Sequence, residues 1–148
     1  MTTNGYTADE TVLATTDAAG PGKALSITTW VFQILLGAFM IVASGAPKLF
    51  GAEAAAEGFD TIGWGDWFMY FVGALEVAGG IGLFIPRVSG LAASGLGLLM
   101  IGAAIFNAAL LDFPVVTPLI LLVLFAGIAW IRRNQTQRFF KHGFKSVR

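Results

Sequence analysis

The chain has 148 residues, 56% hydrophobic and only 12% charged, with no cysteine, one histidine and a formal net charge of zero. A mean hydropathy of +0.76 excludes an ordinary soluble domain. The missing cysteines exclude disulfides and thiol chemistry, and His142 alone in the tail leaves no haem or zinc site built on histidines within one protomer.

The charges are clumped. Windows free of charge, or nearly so, separate Lys23 from Lys48, Asp66 from Arg87, Arg87 from Asp112, and Asp112 from Arg132. Each is about 20 residues long, which a helix needs to cross a hydrocarbon core of about 30 Å. A soluble bundle would need polar helix faces that these windows lack. The expected fold is all-α: an integral membrane four-helix bundle with spans near 26–46, 67–85, 91–110 and 116–131. A leader (1–24) precedes this 25–131 membrane domain and a basic tail (132–148) comes after it.

The leader, rich in Thr, Ala, Gly and acidic residues, has no basic n-region and does not read as a signal peptide. Gly20-Pro21-Gly22 reads as a hinge before the membrane. In the first span Trp30 suits an interface, and Gln33 suits a hydrogen bond between helices. The span ends in SGAPKLF, where Pro47 removes a backbone donor and Lys48 comes next at the membrane edge. Lys48 is either a snorkelling anchor or the counter-ion of an acid deeper in the bundle. By helical rise an interfacial Lys48 stands about 10–15 Å above the midplane, so that pairing requires a tilted or sunken helix, or a bridging water.

Residues 51–67 form an acidic loop with Glu53, Glu57, Asp60 and Asp66. Phe59, Trp64 and Trp67 give it interfacial anchors, and it is expected to lie over the bundle as a lid. The second span carries the chemistry. Glu76 lies roughly 15 Å from either end of the core. A carboxylate at that depth costs about 2.5–3.5 kcal/mol on the insertion scale, so the bundle must offset it. Gly73 and Gly80 share its face, Gly79 clears more space, and Ala74, Ala78 and Gly82 form a small-residue ridge for a neighbouring helix.

Pro86-Arg87 and Ser89-Gly90 make a tight turn into the third span, where Ser89, Ala93 and Gly97 repeat the small-residue device. Asn107, near the end of that span, either ties two helices together or joins a polar site. Asp112, Pro114 and Pro118 mark the loop before the fourth span. The tail RRNQTQRFFKHGFKSVR reads as an amphipathic helix on anionic lipid, interrupted at Gly143; nucleic acid is not an expected partner. Of the Lys and Arg residues only Lys48 lies on the opposite side from the termini, which places both termini in the cytoplasm.

Three stretches, ASGAPKLFG, YFVGALEVAGGIGLFIPR and LAASGLGLLMIGAAIFN, resemble the DoxX-like family of small bacterial membrane proteins. Pro47-Lys48-Leu49 fills the family's ending of the first span. Gly73, Glu76, Gly79 and Gly82 fill its Gly-x-x-Glu-x-x-Gly-x-x-Gly pattern. The likeness covers about residues 28–131. Many relatives carry a histidine near the end of the third span, where this chain has Asn107. The resemblance implies a multi-pass protein of the bacterial cytoplasmic membrane, similar to a subunit of a thiosulfate:quinone oxidoreductase. It implies an accessory role, a quinone as the cofactor to test, and no independent catalytic activity.

Three functions stay open from the sequence. One is an accessory redox subunit with a polar pocket at Glu76, Lys48 and Asn107, where a protonated carboxyl would donate to a quinone carbonyl. Another is a structural or assembly partner of a membrane protein complex or homo-oligomer, in which those residues only fix packing. The last is a small proton-coupled exporter built on one membrane-embedded glutamate.

Overall fold

Among the described residues, four helices are long and apolar enough to cross a membrane: Leu25–Leu49, Asp66–Phe84, Ser89–Leu111 and Val116–Asn134. The computed structural model describes residues 21–143, and among these there is no strand. The spans match the expected ones to within a few residues, and the chain is an all-α multi-pass membrane protein. The expected leader (as far as residue 20) and the last five residues of the tail lie outside the described residues.

Two compact units divide the chain, one ending at Phe32 and the other beginning at Gln33. In the first, helix α1 (Pro21–Ala38) starts at Pro21, so the Gly20-Pro21-Gly22 stretch is not a hinge throughout. A proline suits a first helical position because its φ is already helical and its missing N–H has no partner to lose. Thr29 Oγ1 donates to Leu25 O within this unit.

In the second unit the first span widens into a π-helix, Phe39–Gly45, where Ala46 N–H reaches back five residues to Ile41 O. A short helix α2 (Ala46–Leu49) continues from it, with Pro47 in its first turn. Helix α3 (Glu53–Ile62) is amphipathic and ends on Gly63 in the left-handed region, φ 76°. Glu53, Glu57 and Asp60 lie on its exposed side. Helices α4 (Asp66–Phe84) and α5 (Ser89–Phe106) form the expected hairpin, and α5 runs on into a second π-helix, Asn107–Leu111. Helix α6 (Val116–Gly143) continues without a break through the first part of the expected tail. At 1.5 Å per residue it runs about 42 Å, beyond a 30 Å core.

Lipid tails are as apolar as the side chains, so packing inside a membrane depends on close fit rather than on hydrophobic burial. The fit here is made by glycine. A Cβ on Gly37 would stand 2.9 Å from Gly80 O, and one on Gly80 only 2.7 Å from Ile41 Cγ1. One on Gly45 would meet Val77 at 2.7 Å. The first span and α4 therefore approach closely at levels on both sides of Glu76. On the α5 side, Gly79 admits Leu96 and Gly82 admits Ala92. The ridge expected at Ala74 and Ala78 is not the one these helices use. Both alanines are less buried than Gly73, Glu76 and Gly80, because the face carrying those three is rotated away from them. Ala93 and Gly97 are buried as expected, with Gly97 opposite Leu122 and Phe125 of α6. A core of Leu36, Met40, Leu83, Leu96, Met100, Phe125 and Ile128 fills the interior.

A second buried polar knot lies away from Glu76. Leu83 O is in the last turn of α4, where the residue three positions on is Pro86 and has no N–H to offer. Gln33, fully buried, donates to that carbonyl at 2.9 Å. Arg132 Nε in turn donates to Gln33 Oε1 at 3.0 Å. The helix-to-helix role expected of Gln33 is what the fold uses. Arg132, read from sequence as a tail charge, is buried in the bundle instead.

Candidate functional site

Glu76 is 3% exposed, and its carboxylate is held by Lys48. Lys48 Nζ lies 2.8 Å from Oε2 and 3.1 Å from Oε1. The depth that stood against this pair is removed by two local features. The π-turn at Phe39–Gly45 shifts the angular register of the chain beyond it, as an inserted residue does, and carries α2 round onto α4. At the crossing, Gly73 has no side chain to hold Lys48 off: a Cβ there would lie 2.9 Å from Lys48 Cβ. Gly73 precedes Glu76 by three residues, about 4.5 Å of helical rise. A lysine stem spans that interval, and the contact is direct.

The ammonium is fully engaged. It also donates to Ser44 O at 3.0 Å and Ser44 Oγ at 3.2 Å. Sequence reading missed Ser44, although its place one helical turn before Lys48 was the available signal. The arrangement offsets the cost of a buried carboxylate in the way membrane interiors require, with a paired and hydrogen-bonded counter-ion.

The pair forms part of the wall of a cavity of about 800 Å³. Ser44, Lys48 and Glu76 supply a hydrogen-bonded polar cluster in that wall. Rings of Phe39, Phe59, Phe68, Phe71, Phe106 and Phe113 line much of the remainder. The α3 helix closes it from the loop side through Ala54, Ala55, Gly58, Phe59 and Ile62, so the acidic loop does lie over the bundle. Aromatic contacts hold that lid. Trp64 packs on Phe68 and Phe106 at 4.8 and 5.5 Å between ring centres, and Phe59 packs on Phe68 at 5.6 Å.

Asn107 lines the same cavity but does not join the ion pair. Its side-chain amide donates to Pro114 O at 3.3 Å, tying the second π-helix to the loop before α6. Of the three polar residues singled out from sequence, Lys48 and Glu76 are brought together and Asn107 stands apart on the wall.

The sequence profile of the DoxX-like family matches residues 31–128, a stretch that contains the pair, the lid and the residues that line the cavity. No curated protein and no solved structure matches the chain.

Proposed function

The chain belongs to the DoxX-like family, and from that premise we propose that it is an accessory subunit of a quinone-linked redox system, holding a quinone-class ligand in the cavity beside Lys48 and Glu76. The observation that carries the reading is a ring-lined cavity of ligand size with Ser44, Lys48 and Glu76 clustered by hydrogen bonds in its wall. Small-molecule sites typically have volumes of about 300–1,000 Å³, with apolar walls and a few convergent polar groups. A quinone fits that pattern: flat faces for the phenylalanines, oxygens for the polar cluster, and an apolar tail. Bound there it would supply electron transfer; the chain's own residues would bind and orient it and exclude water. From the family we place the protein in the bacterial cytoplasmic membrane, and on the basic-residue count we put both termini inside, so the lid faces outward.

Gly102 offers the cleanest test. It lines the cavity, and a Cβ there would meet nothing within 4 Å, so the side chain of Gly102→Leu starts in open space and takes up cavity volume. Wild-type protein purified in mild detergent should carry a quinone-class molecule detectable by mass spectrometry of its lipid extract. Gly102→Leu and Glu76→Ala should each lose it. A wild-type extract with no such molecule enriched over a control membrane protein would sink the proposal.

One observation favours a second reading. The same ion pair ties α2 to α4 where Gly45 and Gly73 already bring the backbones together. As a purely structural lock in an assembly partner, the pair would matter for stability while Gly102→Leu left partner recovery unchanged.

A further inference from the structure

The hydrogen-bonding capacity left at the ion pair selects among ligand heads, and this step rests on the quinone-class reading of the cavity. A lysine ammonium has three hydrogens. Those of Lys48 are directed at Ser44 O, Ser44 Oγ and the Glu76 carboxylate, which leaves none for a ligand. A carboxylate offers about four lone-pair sites. Among the described residues, Glu76 accepts only from Lys48, whose remaining hydrogen the two oxygens share. It is 3% exposed and lines the cavity, so its remaining acceptor sites meet neither a second protein donor nor bulk water. Ser44 Oγ accepts from Lys48 and still carries its own hydrogen. What the polar cluster offers a ligand is therefore an acceptor at Glu76 and a hydroxyl donor at Ser44, both within one hydrogen bond of the same nitrogen.

We infer that the site takes an apolar ligand whose head carries a hydroxyl, and so binds the reduced, quinol form in preference to the quinone. A hydroxyl can donate to Glu76 and accept from Ser44 at once. A quinone carbonyl can only accept; it satisfies Ser44 and sets its own lone pairs against the carboxylate. Leaving one buried acceptor unmet is worth roughly a tenfold loss of affinity or more.

The test uses the full chain in lipid nanodiscs under oxygen-free conditions, titrated calorimetrically with four probes. These are a decyl-substituted benzoquinone, its quinol, the dimethyl ether of that quinol, and decanol. The quinol should bind at least about tenfold tighter than the quinone, and the dimethyl ether no tighter than the quinone, since it lacks the O–H. Quinone binding as tight as quinol overturns the inference and leaves the cavity a quinone-class site. Neither quinone nor quinol binding above the Gly102→Leu background overturns both readings. Decanol matching the quinol assigns the hydroxyl contact to a hydroxylated lipid and overturns the quinol assignment. Glu76→Gln gives the site an N–H donor and should bring the quinol-to-quinone affinity ratio towards one; an unchanged ratio counts against the contact. Should that variant fail to fold, the dimethyl ether comparison on the wild type decides alone.

Discussion

Lys48 crosses α4 directly over Gly73, so closely that a Cβ on the glycine would stand 2.9 Å from Lys48 Cβ and 3.1 Å from Gly45 O. One of those neighbours is backbone, which cannot swing aside. Gly73→Ala should therefore cost about 1–3 kcal/mol, as overpacking in a tight interior does. The exposed Gly95 is the control, because a Cβ there meets nothing within 4 Å. Gly95→Ala in the middle of α5 should gain about 0.5–1 kcal/mol through helix propensity. Thermal unfolding in one detergent compares them, and equal melting temperatures would show that the close crossing is not what holds the two helices.

Removing one member of a buried pair costs more than removing both. Glu76→Ala strands the Lys48 ammonium, and Lys48→Met strands the carboxylate. Each should lower stability by about 3–5 kcal/mol, the scale for an uncompensated buried charge. The double variant Lys48→Met/Glu76→Leu should recover most of that loss, because neither charge then needs a partner. Melting temperatures that fall additively across the set would mean that the two side chains do not interact as the 2.8 Å contact implies.

The parts of this arrangement differ in how far residue order reveals them. Spans were legible because the gaps between charges are a one-dimensional quantity. Glu76 was legible because a mid-span carboxylate is costly wherever the helix points. Its partner Lys48 was nameable, but its reach was not: the depth estimate assumed a regular helix, and the π-turn at Phe39–Gly45 leaves no composition signal. Asn107 was legible as a polar residue, but its partner was not, since the second π-helix and the left-handed Asp112 bring its amide to Pro114 O. Arg132 was hidden by its neighbours. It heads a basic run, and basic runs are ordinarily solvated; only the fold brings Gln33 to it across 99 positions. The cavity, bounded by residues from Phe39 to Leu121, exists only in three dimensions.

The Gln33 knot supports a prediction independent of the ion pair. Gln33→Leu leaves Leu83 O without its side-chain donor and takes the Oε1 acceptor from Arg132 Nε. Buried polar groups deprived of a partner cost about 1–3 kcal/mol. Gln33→Glu keeps an acceptor for the guanidinium but offers Leu83 O no amide hydrogen, and should lie between wild type and Gln33→Leu. Unfolding in detergent should rank them in that order. Ligand retention by Gln33→Leu protein that stays folded should be unchanged, because Gln33 does not line the cavity.

Orientation decides which side of the membrane the lid faces, and the absence of native cysteine makes it directly measurable. Thr61 is exposed on α3, and Arg87 is exposed in the turn between α4 and α5. Helix α4 joins the two regions and is 19 residues long, enough to cross the hydrocarbon core. The two positions must therefore lie on opposite sides. The basic residues cluster on the Arg87 side, so that side should be cytoplasmic. A membrane-impermeant maleimide should label Thr61→Cys in intact cells and Arg87→Cys only after permeabilisation. The reverse pattern would put the acidic lid in the cytoplasm and make the basic residues an exception to the charge rule. Labelling of both in intact cells would contradict the assignment of α4 as a spanning helix. In the expected orientation a ligand reaches the cavity either past α3 from outside or sideways from the outer leaflet. Placing a bulky maleimide adduct at Thr61 should then slow ligand exchange only if the route runs past the lid.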